Sequence, residues 1–167
     1  MEKIFAIILS VTLALSLAGC GTKTPAPEKG GETGQVQIAN PFVSCDNMTA
    51  AAELAGFEMT LPQSLPNWIT ETEIRVIEGE MIEVVSAGED GKELRIRKAV
   101  GSEDISGDYN SYEEASEITV GELTVALKGH DGKINVATWS DGEYTFSIVC
   151  SVGLSQDNIS AMVTDIK

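Results

Sequence analysis

Two runs of alternating apolar and polar residues, separated by an Asp-Gly step, stand near the C-terminal end of the chain. The first run is Ile134-Asn135-Val136-Ala137-Thr138-Trp139, the step is Asp141-Gly142, and the second run is Tyr144-Thr145-Phe146-Ser147-Ile148-Val149-Cys150. Alternation with a period of two is typical of a strand that buries one face. Asp-Gly favours the tight turn of a β-hairpin. The stretch therefore predicts two antiparallel strands joined by a short turn.

The same alternation continues toward the N-terminus. It predicts further strands at residues 57–61, 74–78, 81–85, 93–99 and 123–128. Glycine-containing turns separate several of these runs, and Gly79-Glu80 is a candidate two-residue hairpin loop. Such short turns leave no room for the crossover connections that parallel strands need. We therefore expect about six or seven strands in an antiparallel meander.

Helical patterns flank the strands on both sides. The alanine-rich stretch 48–55 follows Asp46 and Asn47, either of which can cap a helix, and Gly56 suits its C-terminal end. Near the C-terminus, Ser155 is a candidate cap, and apolar residues at 159, 162, 163 and 166 have helical spacing. An N-terminal and a C-terminal helix covering one face of an antiparallel meander sheet gives an α+β fold.

The N-terminus carries a different kind of pattern. An apolar run from Ile4 to Leu17 leads into Leu17-Ala18-Gly19-Cys20. The run is too short to span a bilayer, which takes about 20 apolar residues. A small residue before a cysteine at this depth predicts a lipoprotein signal peptide, whose cleavage leaves Cys20 as the lipid-bearing N-terminus. A diacylglycerol group supplies two acyl chains, and palmitate can add a third. Two or more chains anchor a protein stably, so we expect a lipid-anchored protein facing outside the cytoplasm.

The signal peptide divides the chain into three parts. Residues 1–19 are the predicted signal peptide, and residues 20–39 are the lipidated cysteine with a tether rich in Gly, Pro, Lys and Glu. The tether shows no apolar periodicity and is predicted to be a disordered spacer. Residues 40–167 remain as a single globular α+β domain.

The charge balance restricts the possible partners. The formal net charge is −15 at pH 7. Nucleic-acid binding needs a basic patch, and adsorption to anionic lipid needs basic residues, so neither is expected. We expect the membrane to be reached through the lipid anchor alone, an unknown protein or small ligand as partner, and no cofactor.

Two cysteines remain once Cys20 is lipidated. Outside the cytoplasm, Cys45 and Cys150 are a disulfide candidate that would close a loop of about 105 residues and contribute about 4–5 kcal/mol in the chain-entropy model. The alternative is two free thiols that pack as small hydrophobic side chains. The sequence leaves both alternatives open.

Several short motifs resemble a known family. Ala55-Gly56-Phe57, Leu61-Pro62 and Leu65-Pro66 occur in the order found in an uncharacterised domain of Gram-positive cell-surface lipoproteins, which also occurs in the outer parts of anti-sigma-factor-like proteins. The stretches 97–110 and 137–139 are similar to a lipoprotein branch of that family. The resemblance covers residues 40–167. It implies a short helix followed by an antiparallel sheet and an extracytoplasmic location, and it assigns no catalytic residue.

The most unusual segment is the acidic stretch from Gly101 to Glu114. It is predicted to be a loop, and its candidate contact residues are Glu103, Asp104, Asp108, Tyr109, Asn110 and Tyr112. Carboxylate and amide oxygens are the ligands that calcium takes, although the spacing is not that of an EF-hand. The tyrosines could instead contact a protein partner. The third interpretation is a solvated loop whose acidic side chains cap turns.

Catalytic arrangements find little support in the sequence. His130 is the only histidine and is predicted to lie in the surface turn Gly129–Gly132, without a nucleophile elbow elsewhere. One histidine and two distant cysteines do not form a zinc ligand set, so no metal is expected. Glu78, Glu80 and Glu83 could imitate a glycosidase carboxylate pair, but such clusters arise by chance in an acidic protein.

Two further pairs of side chains have alternative interpretations. Arg95 and Arg97 share one face of a predicted strand, where they could receive a carboxylate or phosphate. Pairing with glutamates of a neighbouring strand is the favoured interpretation. Trp68 and Trp139 are expected to be aromatic residues of the core or its rim rather than sugar platforms.

The sequence therefore favours a binding function over catalysis. We expect a membrane-anchored extracytoplasmic lipoprotein that acts as a non-catalytic binding or interaction module with an unknown ligand. The alternative is a sensory or regulatory exodomain that reports the state of the envelope through a membrane partner, an inference that rests on the family resemblance. The predictions do not include an enzyme activity.

Overall fold

One antiparallel sheet of eight strands carries two helices. A computed structural model of the protein describes residues 40–167, so the predicted signal peptide, Cys20 and the tether lie outside the described residues. The elements are β1 Val43–Cys45, α1 Met48–Ala55, β2 Ile69–Ile77, β3 Met81–Gly88, β4 Glu93–Val100, β5 Glu114–Val120, β6 Leu123–His130, β7 Lys133–Ser140, β8 Tyr144–Leu154 and α2 Gln156–Asp165. The predicted α+β class, with an antiparallel sheet and two helices, is confirmed.

The strands do not follow one another across the sheet in a single meander. Their order is β1-β2-β3-β4-β8-β7-β6-β5. Two four-stranded meanders therefore meet at β4 and β8, where Ile96 pairs with Ile148. The connection 101–113 leads from β4 in the middle of the sheet to β5 at its edge. The prediction of six or seven strands was wrong, because it omitted β1, which has only three residues, and β5, whose residues are mostly exposed.

The hairpin at residues 134–150 is confirmed. Trp139 pairs with Phe146 across β7 and β8, and the Asp141 carboxylate accepts the backbone N–H groups of Glu143 at 3.0 Å and Tyr144 at 2.8 Å. The other predicted hairpin, between β2 and β3, has a three-residue loop instead of two residues, since Ile77 pairs with Met81.

The predicted strand at 57–61 is wrong. This segment runs past the end of α2, where the backbone N–H of Thr60 donates to the Lys167 carbonyl at 3.0 Å and its hydroxyl donates to the Asp165 carbonyl at 2.7 Å. Met59 is buried in the core under this segment. Alternation in 57–61 thus reflects packing of one side of an extended segment, and the segment has no ladder partner.

Both helices begin at the predicted caps. The Asn47 side chain accepts the backbone N–H of Ala50 at 2.9 Å, and Gly56 ends α1 in the left-handed region at φ 80°. A strand, β1, precedes α1, so the helix is not the first element of the domain. Ser155 caps α2 by accepting the backbone N–H of Asn158 at 3.3 Å.

The two helices and one face of the sheet enclose a common core. Helix α1 packs on β2 and β3, and α2 packs on β5 and β7. The apolar residues of α2 at helical spacing are all buried, as predicted: Ile159, Met162, Val163 and Ile166. Residues 40–167 have a hydrophobic core of their own and belong to one compact unit, as expected of a domain that can fold independently.

Of the two alternatives for Cys45 and Cys150, the structure shows free thiols and no disulfide between them. Cys45 lies on β1 and Cys150 on β8, with β2, β3 and β4 between them. Four steps of about 4.8 Å place these strands about 19 Å apart. A disulfide needs Cα atoms within about 7 Å of each other. Cys150 instead packs as a buried side chain of the core, and this burial raises the pKa of its thiol.

Candidate functional site

The sheet face opposite the helices carries a group of charged side chains. Arg75 on β2 pairs in register with Glu83 on β3, and Glu83 pairs with Arg97 on β4. Residues two apart on one strand share a face, so Arg95 joins the same group. We call Glu83 with Arg75, Arg95 and Arg97 the Glu83 cluster.

Glu83 is fully buried and fully bonded within this cluster. Its Oε1 accepts from Arg75 Nε at 2.8 Å and also from Arg75 Nη2. Its Oε2 lies 2.6 Å from Arg97 Nε and 2.6 Å from Arg97 Nη2. Arg95 Nε lies farther away, at 3.9 Å, and its Nη2 donates to Glu93 at 2.9 Å. Pairing with a glutamate of the neighbouring strand is found for Arg97, whereas the hydrogen bonds of Arg95 go to Glu93 of its own strand.

The glycosidase-like carboxylate pair does not form. Glu83 lies among arginines inside the sheet, whereas Glu78 and Glu80 lie in the exposed loop between β2 and β3. Two carboxylates that act on a glycosidic bond must face one another across a substrate. Glu83 is therefore separated from Glu78 and Glu80 by its environment.

The acidic loop 101–113 lies across the charged face. Arg97 Nη1 donates to the Ile105 carbonyl at 2.6 Å. Gly107 has a φ of 60°, and a Cβ at this position would come within 2.5 Å of Arg97 Nη1. Only glycine combines that backbone conformation with so close an approach. The Glu83 cluster therefore positions the loop as well as the strands.

The two aspartates of the loop, Asp104 and Asp108, accept hydrogen bonds from within the loop itself. Asp104 accepts the backbone N–H of Ser106 at 2.8 Å. Asp108 accepts the backbone N–H of Asn110 at 2.9 Å, the Asn110 side-chain amide at 3.1 Å and the Tyr112 hydroxyl at 2.9 Å. These bonds match the interpretation in which Asp residues cap turns.

Titration of the loop follows from these contacts. Burial alone would raise the pKa of Asp104, but hydrogen bonds from Ser106 and the charge of Lys128 outweigh it and the pKa is lowered. Burial, together with donation to Asp108, raises the pKa of Tyr112. Within residues 40–167, no group of three or more His, Cys, Asp or Glu side chains could hold a metal ion. The cation interpretation of the loop gains no support from this geometry.

Tyr109 differs from Asp108 and Tyr112 because its side chain is almost fully exposed. Its relative exposure is 97%, and Glu103 is exposed as well. An exposed tyrosine on a loop that is fixed by Arg97 is available for contact with a partner. Contact of this loop with a protein partner stays a prediction, and Tyr109 is the residue expected to make the contact.

The remaining sequence candidates lie in different parts of the domain. His130 ends β6, with its side chain about half exposed and Nδ1 3.3 Å from Asp131 Oδ2. Trp139 is buried and stacks on Phe146 with ring centroids 5.2 Å apart, as expected of a core aromatic residue. Trp68 is half-buried against Gly88 at the rim of the core.

A cleft that sequence reasoning missed opens at one end of the core. Its volume is about 490 Å³. It lies between the C-terminal end of α2, the β5–β6 turn and the ends of β4, β7 and β8. Its apolar walls are Val120, Leu123, Trp139, Tyr144, Phe146, Val163 and Ile166. Because Lys98 also lines it, we call it the Lys98 cleft.

Lys98 is buried on the helix-covered face of β4, with a relative exposure of 7%. Its Nζ donates to the Glu58 carbonyl at 2.7 Å. The rings of Tyr144, Phe57 and Phe146 lie 4.2, 5.5 and 5.5 Å from Nζ. In the described part of the chain, no carboxylate lies within 4.0 Å of this ammonium group.

Burial lowers the pKa of Lys98, and the more distant charges of Asp141, Glu143 and Glu58 partly oppose that effect. The sequence held a signal for this site. Leu94 and Ile96 mark the buried positions of β4, and the next residue with the same parity is a lysine. A charged residue in the buried register of a strand is therefore the feature that would have located the cleft.

A second depression lies beside the segment 63–68 and has a volume of about 560 Å³. Its lining is more polar and includes Gln63, Ser64, Asn67, Asn158 and Asp165. It is lined by no buried charged side chain. Ligand sites are usually apolar hollows with few polar groups, so the Lys98 cleft is the better candidate.

Comparisons with protein-family models, curated proteins and solved structures find no match to this chain. In residues 40–167, neither helix has the length and hydropathy required to cross a bilayer.

Proposed function

We propose that the protein is a membrane-anchored extracytoplasmic lipoprotein whose domain, residues 40–167, is a non-catalytic binding module, and that its ligand occupies the Lys98 cleft. The observation that carries the binding proposal is the combination of apolar walls and one buried ammonium group in a cleft of about 490 Å³. Small-molecule sites have this size and composition. The motif that ends at Cys20 supports the anchored location.

The location can be tested by blocking lipidation. Cys20→Ser removes the thiol to which lipid is attached, so the protein should lose labelling by a radioactive fatty acid and leave the membrane fraction. Cys45→Ser is the matched control, because it leaves the motif at residues 17–20 intact. Equal labelling of the two variants would contradict the proposal.

The binding site can be tested with decanol, an uncharged apolar probe, by titration calorimetry on residues 40–167. Leu123→Phe adds a ring inside the Lys98 cleft and should weaken decanol binding about ten-fold or more, as expected when a pocket is filled. Leu65→Phe makes the same change in the second depression and should leave the affinity unchanged. The opposite pattern would move the site to residues 63–68, and recovery of altered probe would argue against a non-catalytic module.

We also propose an alternative function, a sensory or regulatory exodomain that contacts a membrane partner. Support for this proposal comes from Tyr109, which is 97% exposed on a loop held in place by Arg97. A strain that lacks the protein should then show an altered envelope-stress response, and a Tyr109→Ser copy should fail to restore the normal response. Restoration by that copy, or an unaltered response in the deletion strain, would count against this alternative.

A further inference from the structure

Two charged side chains are buried in residues 40–167, Glu83 and Lys98, and they differ in their partners. Glu83 is surrounded by arginines, whereas Lys98 has a carbonyl and three aromatic rings. Lysine is almost never buried unless it is paired with an opposite charge. An unpaired, buried ammonium group on the wall of a cleft thus points to a missing negative partner.

We infer that the Lys98 cleft binds an aliphatic carboxylate, with the hydrocarbon chain against the apolar walls and the carboxylate bonded to Lys98 Nζ. This inference rests on the proposed function of the cleft and adds the chemical class of the ligand. The aliphatic walls are Val120, Leu123, Val163 and Ile166. They match a flexible hydrocarbon chain, and Lys98 is the only buried charged side chain among the residues that line the cleft.

The ammonium group has capacity for such a partner. It carries three N–H donors, and one is used by the Glu58 carbonyl at 2.7 Å. The aromatic rings around Nζ attract the charge but neutralise none of it. A carboxylate would form charge-assisted hydrogen bonds to the remaining donors and supply the missing negative charge.

Other charges near the cleft act more weakly. Glu122, Asp141 and Lys167 also line it, and all three are exposed. Glu58 and Glu143, which face Lys98 from neighbouring segments, are exposed as well. Water and salt screen exposed charges, whereas a buried charge is screened much less. Lys98 therefore determines which head group the cleft accepts.

A cationic ligand is the principal competitor, because the aromatic rings around Lys98 Nζ could hold an alkylammonium group. That arrangement would require Lys98 to leave the rings, since its Nζ already lies 4.2 Å from the centre of Tyr144. It would also bring two positive charges together in a buried site. The geometry therefore favours the anion.

The test compares three probes with the same ten-carbon chain on residues 40–167: decanoate, decanol and decyltrimethylammonium, each below its micelle concentration. Calorimetry should give a decanoate affinity about ten-fold or more above that of decanol, which is the usual size of one charge-assisted bond. Lys98→Met should remove this preference, so that decanoate and decanol bind this variant with similar affinity. Lys128→Met, at an exposed lysine outside the cleft, should retain the preference.

A second measurement needs no variant. The carbon-13 signal of carboxyl-labelled decanoate, followed against pH, should report a bound carboxylate whose pKa is lower than that of free decanoate, because the ammonium group stabilises the charged form. Equal affinity for decanoate and decanol, with no change in this pKa, would overturn the carboxylate inference and leave the cleft as an apolar site. Tightest binding of decyltrimethylammonium would overturn it in favour of a cation. Failure of all three probes to bind would overturn the cleft itself.

Discussion

Adjacent residues of β4, Arg97 and Lys98, point to opposite faces of one sheet and meet opposite electrostatic conditions. Arg97 joins a cluster in which the buried Glu83 is bonded at 2.6–2.8 Å by arginines of both neighbouring strands. Lys98 is buried as well, yet no carboxylate of the described chain comes within 4.0 Å of it. The first charge is compensated inside the fold, and the second is not.

The difference separates a structural charge from a functional one. A buried carboxylate whose oxygens are all bonded holds strands and a loop together, and it has nothing left to offer a ligand. A buried ammonium group beside a cleft keeps part of its bonding capacity. Burial of a charged side chain alone therefore does not locate a binding site. A binding site is indicated when the buried charge has no opposite charge bonded to it.

Removal of the charge from Glu83 should have the largest effect on stability. Glu83→Gln keeps the shape and leaves the partly exposed Arg75 and Arg97 without their counter-charge, so we expect a loss of about 3 kcal/mol in the free energy of unfolding, the low end for a broken buried pair. Urea unfolding measures this quantity. Glu73→Gln is the control, since Glu73 is about half exposed and lies 3.9 Å from Arg75; it should cost about 0.5 kcal/mol or less. Equal costs would show that the cluster is no more than a surface network.

The arginines of the cluster should rank by their distance from Glu83. Arg97→Met removes the bonds to Glu83 and to the Ile105 carbonyl, and we expect a loss of about 2 kcal/mol, the range for hydrogen bonds to charged groups. It should also expose loop 101–113 to faster amide hydrogen exchange. Arg95→Met, at 3.9 Å, should cost about 0.5 kcal/mol and leave the exchange of the loop unchanged. The reverse ranking would break the assignment of Arg97 as the residue that fixes the loop.

Removal of the charge from Lys98 should raise the stability of the protein, whereas removal of the charge from Glu83 lowers it. Lys98→Met keeps the apolar stem and removes a buried charge without an ionic partner, so we expect the free energy of unfolding to rise by about 1 kcal/mol at neutral pH. The Glu58 carbonyl loses this donor, which offsets part of the gain. Urea unfolding of the Lys98→Met and Glu83→Gln variants, measured under the same conditions, compares their free energies of unfolding directly. A loss as large as that of Glu83→Gln would show that Lys98 is a structural charge as well.

Much of the fold could be predicted from local signals, and its topology could not. Caps at Asn47 and Ser155 and the Asp141-Gly142 hairpin depend on neighbouring residues, and the structure confirms them. Strand β5 depends on pairing with β6, and its exposed residues have no apolar alternation. The order in which β4 meets β8 depends on contacts between residues about 50 positions apart, which periodicity does not report.

The candidate site could be predicted only in part from the sequence. The pairing of Arg97 with a glutamate of the next strand followed from strand parity and is confirmed at Glu83. The cleft was missed, because its walls come from three separate parts of the chain. Lys98 itself is visible in the sequence as a charge in the buried register of β4, two residues after Ile96.

The pH dependence of the Lys98→Met variant gives the smallest and most specific effect. Burial lowers the pKa of Lys98 in the folded protein below its ordinary value of 10.5. Between the folded pKa and 10.5, the unfolded chain binds more protons than the folded protein, so the stability of the wild type rises with pH through this window. Lys98→Met lacks this contribution. Its advantage should therefore be complete below the folded pKa and shrink as the pH rises toward about 10. A constant difference between the two proteins would mean that Lys98 is as well solvated as an exposed lysine, whereas a shrinking difference would establish it as the uncompensated charge of the sheet.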